Sequence, residues 1–233
     1  MRKKIQMKVS AAGERGEVGS CCCCVIISNR LLPHGARLVI PSFNPSMVLP
    51  PFVGDSPGLP AMMSPYKSTI SAFVKRFATS AQRALLLKGL LSYRAALRAA
   101  GILDGFQWID GSFVEDVEKL RNRAPADIDL VTFASRPAAV DGPGLADWIA
   151  QHGALFDPEQ TKVNFHCDAY FVDLRKSGQL IVDETRYWFG MFSHQRATSL
   201  WKGMIQLPMY CDDDEALTFL ENLQFDVAGG NHA

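Results

Sequence analysis

Two aspartates separated by a single residue, Asp127 and Asp129 in the run PADIDLVTF, are the first candidates for chemistry in this chain. In an extended strand, residues two apart point to the same face, so both carboxylates project together while Ile128 and Leu130 turn to the core. Paired carboxylate oxygens suit a hard divalent cation, Mg2+ or Mn2+, which completes its shell with water and substrate phosphates. Upstream, the apolar run FQWID ends at Gly111 and Ser112. Glycine at a strand end lets the backbone approach a phosphate closely, and the serine hydroxyl and nearby N–H groups can donate to its oxygens. Arg121 and Arg123, just ahead of Asp127, are placed to neutralise a triphosphate, although solvated loop arginines are equally ordinary.

A third acid has to come from another strand. The apolar run VNFHCDAYFVDL, residues 163–174, reads as that strand. Asp168 and Asp173 are an odd number of residues apart and must face opposite sides of the sheet, so one of them at most joins Asp127 and Asp129. Asp168 is the choice, because it lies mid-strand, where a buried carboxylate needs a partner or a metal. Asp173 sits beside the RKSG turn and reads as an end cap. His166 shares the face of Asp168 on this reading, as a structural histidine more readily than as a substrate contact.

These residues need elements to hold them. Residues 106–110 read as the first strand of the site's sheet and 127–133 as the second. Between them, residues 113–121 read as a short helix starting just beyond Ser112, where a helix N-terminus attracts anions; Glu115, Asp116 and Glu118 suit its dipole. Ahead of the strands, prolines between 41 and 60 are too dense for a helix or a central strand and predict an extended arm over an apolar face. Ser64-Pro65 reads as an N-cap with proline at the first helical position, followed by Ile70, Phe73, Val74 and Phe77 at helical spacing. Thr79 and Gln82 have capping-box spacing for a second helix carrying Leu86, Leu90 and Leu97 inward and ending at Gly101. Its Arg83, Arg94 and Arg98 are expected on the outer face, solvated or against nucleic-acid phosphates. Later come a helix at 145–152, a helix at 183–192 with Tyr187 and Trp188 as core or base-stacking aromatics, and a strand in GMIQLPM. The acids at 212–215 resemble a metal cluster but read as the start of a last helix. Residues 228–233 are expected to fray.

Composition narrows the classes. At 233 residues with 48% apolar side chains, one domain with appendages is expected. Basic and acidic residues balance at 24 each, which argues against a basic nucleic-acid wrapper while leaving room for a local basic groove. Of six cysteines, four are consecutive at 21–24 and the rest are scattered. Such spacing gives neither a disulfide framework nor a paired zinc motif, and points to a reducing cytoplasm. Residues 1–38 mix basic, Gly-rich and Cys-rich pieces without a period; they read as a poorly ordered or misassigned extension ahead of a domain at 39–227. No stretch is apolar for the ~20 residues a spanning helix needs, so no membrane contact is expected.

The arrangement Gly-Ser, helix, Asp-x-Asp on a strand and a third acid on a later strand resembles the signature of the nucleotidyltransferase superfamily. Through IPSFNPSMVLPPFVG, SPYKSTISAFVKRFATS, GFQWIDGSFVE and PADIDLVTF, the run from Ile40 to about Leu207 also resembles a bacterial family of uncharacterised nucleotidyltransferase-like proteins. The insert at 113–126 is slightly longer than in that pattern. The resemblance implies an α+β fold with a mixed β-sheet flanked by helices, to which the sequence adds an N-terminal helical pair and the Pro-rich arm. It also makes Arg196 and Lys202, in an R-x(5)-KG element, candidates for phosphate contact. The implied activity is transfer of a nucleoside monophosphate from an NTP to an acceptor hydroxyl, with Asp127, Asp129 and Asp168 holding Mg2+ or Mn2+. RNA or protein acceptors and a partner or antitoxin protein follow from the toxin and phage-defence members of the superfamily. The rival readings are a catalytically silent module that binds or regulates, and a hydrolase using the same acids, which explains Gly-Ser less well.

Overall fold

The computed structural model describes residues 40–137, 140 and 142–225; the expectations for 1–38 and 228–233 lie outside these. The elements follow in the order β1 (Tyr66–Lys67), α1 (Ile70–Phe77), α2 (Ala81–Ala99), β2 (Phe106–Asp110), α3 (Val117–Arg121), β3 (Ile128–Ala134), α4 (Pro143–His152), α5 (Pro158–Phe165), β4 (Cys167–Asp173), α6 (Gly178–Phe192), β5 (Ile205–Pro208) and α7 (Asp213–Asn222). The strands form one mixed sheet in the order β1-β5-β2-β3-β4. β2 runs antiparallel to both β3 and β5, whereas β3 and β4 are parallel. A parallel pair needs a crossover, supplied here by the segment containing α4 and α5. The architecture is therefore α+β with a mixed sheet, and no helix among the described residues is long and apolar enough to cross a membrane.

Alternation along the strands sorts side chains onto two faces. Ile109, Ile128, Leu130, Cys167, Ala169, Ile205 and Leu207 pack into the larger core with residues of α1, α2 and α7. Trp108, Val131, Phe133 and Val172 turn the other way, into a smaller core with Phe192 of α6. The arm also packs as its prolines imply: Val48 and Leu49 are fully buried, and Leu49 accepts a backbone hydrogen bond from Gly203 at 2.8 Å.

Several local expectations are corrected. Ser64-Pro65 is not a helix start: the peptide is cis, Ser64 Oγ accepts from Met204 N at 2.8 Å, and α1 is capped by Thr69, whose Oγ1 accepts from Ala72 N. α2 is capped by Ser80, whose Oγ accepts from Arg83 N, so the Thr79–Gln82 spacing is one residue out of register. Residues 163–165 belong to the end of α5 and not to the third strand. Asp157 caps that helix from Glu159 N, with Pro158 as its first residue, and His166 ends it in a left-handed conformation with φ 56. An unbroken apolar run carries no period to separate a last helical turn from a strand.

Arg83 and Arg94 are not on an outer face either. Arg94 is fully buried; it meets both oxygens of Asp213 at 2.6 and 2.9 Å, Gln107 Oε1 at 2.7 Å and Pro208 O at 3.0 Å. Arg83 makes a two-pronged pair with Glu118 and donates to Phe113 O and Glu115 O. Planar guanidinium groups with five donors suit such buried cross-links between elements.

Candidate active site

The sheet register assembles the acids. Asp110 pairs opposite Asp129 on the β2–β3 ladder, and Asp129 opposite Asp168 on the β3–β4 ladder. Directly opposite residues lie on one face of a sheet, so three carboxylates from adjacent strands form a row on the face that carries Trp108, Val131 and Val172. Asp127, one residue ahead of β3, lies beside the row. Asp173 is in register with Ala134 on the opposite face, where it accepts from Arg175 N at 2.9 Å and pairs with Arg136 at 3.3 Å. The sheet thus brings Asp168 to Asp129 and takes Asp173 away.

Gly111 makes room for this arrangement. Its φ is 72, and a Cβ added there would fall 1.7 Å from Asp129 Oδ2. The strand-end glycine therefore works first as the hollow into which the Asp129 carboxylate leans. Gly111 and Ser112 open a short 3-10 turn, Gly111–Val114, rather than the helix expected from residue 113. α3 starts only at Val117, so Ser112 does not sit at a helix N-terminus.

Below the turn lies a buried ion cluster in which Asp110 and Glu115 had no part on the sequence reading. Lys202 Nζ stands 3.1 Å from Asp110 Oδ1 and 3.0 Å from Glu115 Oε1, and donates to Gly111 O at 3.2 Å. Glu115 Oε2 also accepts from Gln195 Nε2 at 3.0 Å and faces Arg121 at 3.5 Å. Burial alone would lower Lys202, but the Asp110 and Glu115 carboxylates outweigh it and hold the ammonium above its ordinary range. Burial pushes the Asp110 carboxyl well up, against the pull of Lys202. Lys202 thus ties the backbone of the Gly-Ser turn from beneath, hydrogen-bonded to Gly111 O and Glu115 Oε1 and ion-paired with Asp110. Glu115 is part of that cluster rather than a helix-dipole residue. Asp110 was legible in principle, as a polar residue closing an apolar strand whose antiparallel partner carries Asp-x-Asp.

Asp129 carries the strain of the row. Burial, with the nearby Asp127 and Asp168 charges adding, raises its carboxyl to about 6, against the pull of Lys202 and Arg196. Lys162, from the last turn of α5, lies 2.5 Å from Asp127 Oδ2. Arg196 is exposed and acts on Asp129 through its charge. Arg123 donates to the adjacent Ala124 O, and Arg121 is the last residue of α3, paired to Glu115; neither is paired with an acid of the row. Trp188 is part of the smaller core, its ring 4.5 Å from that of Tyr170, whereas Tyr187 is exposed. Among the described residues no group of three or more His, Cys, Asp and Glu side chains is drawn together to hold a metal ion: the acids form a row, not a closed cage. The donor set nevertheless fits a hard cation, being all carboxylate oxygen, and the raised Asp129 carboxyl marks negative charge that a divalent ion would neutralise.

Comparison with known proteins places the chain by sequence alone. No curated protein and no solved structure matches it. A family model described as a family of unknown function, DUF6932, matches residues 41–208, which contain the arm, all five strands and every acid of the row, and the chain belongs to that family.

Proposed function

We propose that the acid row is the centre of a divalent-metal-dependent nucleotidyltransferase, moving a nucleoside monophosphate from an NTP to an acceptor hydroxyl on RNA or protein. The observation that carries this reading is the lateral register of Asp129 and Asp168, with Asp127 alongside and the Gly111–Ser112 turn against Asp129. Asp127, Asp129 and Asp168 would hold Mg2+ or Mn2+. When bound, such ions neutralise phosphate charge and lower the barrier to attack at phosphorus. The chain's own residues have separate tasks. Ser112 offers its hydroxyl to phosphate at the mouth of the turn, Lys202 and Asp110 fix the turn's backbone, and exposed Arg196 meets the anionic substrate beside Asp129. A reducing cytoplasm is the compartment we assign, consistent with Cys167 and Cys211 being free thiols.

One observation favours a second reading, a module that binds or regulates without chemistry: Asp127 is already neutralised by Lys162. The two separate on incubation of purified protein with each labelled NTP, Mg2+ or Mn2+, and total RNA or protein. Label transfer that is lost in Asp129→Asn supports the enzyme. No transfer with any NTP and either metal, across both acceptor classes, supports the silent module.

A further inference from the structure

The acid row has a cation of its own. Lys162 is more than half exposed, yet its ammonium is 2.5 Å from Asp127 Oδ2. The hydrogen bond and charge of Asp127 hold the ammonium above its ordinary range against partial burial, with the charges of Asp168 and then Asp129 adding, so one ammonium faces all three acids. The other nearby cations stand differently: Lys202 is buried against Asp110 and Glu115, and Arg196 is exposed. The position of Lys162 is built in. α5 passes so close to α2 that a Cβ on Gly89 would fall 2.1 Å from Phe165 O, and the left-handed turn at His166 leads directly into the strand bearing Asp168. The backbone under Lys162 is seated, while its four-carbon stem and exposed head are free to turn outward.

We infer that Lys162 is the resident counter-ion of the acid row and a competitor of divalent metal, so that an ion entering between Asp127 and Asp129 must displace the ammonium into solvent. This rests on the metal-site reading proposed above and adds a gate to it. A cation held on the same oxygens lowers the apparent affinity for metal by the fraction of sites it occupies. It also holds three like charges together when metal is scarce.

Mn2+ binding to the full chain, read from the loss of the free-ion EPR signal, tests the gate without any measurement of activity. Lys162→Met is expected to bind Mn2+ about tenfold more tightly than wild type, on the order of the Coulomb energy of one partly screened pair. Lys162→Gln should do the same, and Lys162→Arg, which keeps the charge, should stay near wild type. Asp129→Asn should weaken binding in either background. In the metal-free state, Lys162→Met should melt below wild type because the acids are left to repel, and Mn2+ should raise its melting temperature by more. Equal or weaker binding by Lys162→Met and Lys162→Gln would overturn the gate while leaving the metal site. No Mn2+ binding by wild type or either variant, or binding indifferent to Asp129→Asn, would overturn both the gate and the reading beneath it.

Discussion

Two groups of carboxylates in this molecule, alike in sequence, differ in their counter-charges. At the start of α7, Asp213 receives both prongs of buried Arg94, Asp212 accepts from Ser71 N at 3.2 Å, and Glu215 is met by Ser71 Oγ at 2.9 Å and Lys75 at 2.7 Å. Across the sheet, Asp110, Asp129 and Asp168 share a face with fewer cations than acids: Lys202 is divided between Asp110 and Glu115, and Lys162 touches Asp127. The first group clamps α7 to α1 and α2. The second is held together against its own repulsion by backbone register, and a folded chain keeps such charge at a cost in stability. Satisfied acids read as structure and under-neutralised acids as a site.

The largest effect should come from breaking the satisfied group. Arg94→Met takes the guanidinium from Gln107 Oε1, Pro208 O and Asp213, which keeps only the longer contacts of Cys211 N at 3.4 Å and Arg98 at 3.7 Å, and removing one partner of a buried pair costs about 3–5 kcal/mol. Chemical denaturation should show that loss, and a change under about 1 kcal/mol would mean that water replaces the guanidinium. Gly111→Ala comes next. It combines a left-handed φ with a collision against Asp129, an expected cost of roughly 2–4 kcal/mol, together with loss of any metal or nucleotide binding because the carboxylate must move.

Asp129→Asn should act in the opposite direction. The Asp129 carboxyl is raised in the folded state to about 6 from about 3.9 in an unfolded chain. The folded form therefore binds the proton more tightly, and the stability this gives is complete below pH 4 and lost as pH rises through 6. Replacing the carboxylate by an uncharged amide should make the metal-free protein more stable at pH 7 by roughly 1–2 kcal/mol, with the gain fading towards pH 4. Denaturation at the two pH values checks this; equal effects at both would mean that burial and the neighbouring acids do not raise the Asp129 carboxyl. The smallest effect should be that of Glu215→Gln, the exposed member of the satisfied group, whose replacement should leave the melting temperature unchanged within error.

How far the sequence spoke for these regions follows from what each signal depends on. Asp127, Asp129 and Asp168 were legible because strand parity is local: Asp-x-Asp put two acids on one face, and the odd separation of Asp168 and Asp173 sent them apart; Asp110 was missed. Strands β2, β3 and β5 and helices α1 and α2 followed from apolar spacing for the same reason, whereas the mixed sheet was what the resemblance implied. Glu115 and Lys162 acquire their roles from contacts across 87 and 35 residues of chain, respectively, so no local pattern reveals them. Arg94 misled for a related reason. A helix's arginines are ordinarily solvated, and only the arrival of Asp213, 119 residues later, allows this one to be buried. Helix starts were misplaced by one to several residues where Ser, Thr and Pro offered competing caps, since a cap is decided by which side chain the tertiary fold leaves free.

The central claim is that the under-neutralised row exists to take metal and nucleotide together, and ligand-induced stabilisation tests it most directly. Melting temperatures of wild type and Asp129→Asn would be measured with Mg2+ or Mn2+ alone, each NTP alone, and each metal–NTP pair. A ligand that binds only the native state raises stability with concentration by mass action, by about 2.7 kcal/mol at a hundredfold excess over Kd. The account predicts a rise for wild type with at least one metal–NTP pair, larger than with either component, and none for Asp129→Asn despite its more stable metal-free form. No rise for wild type with any pair, or the same rise in both proteins, would contradict it.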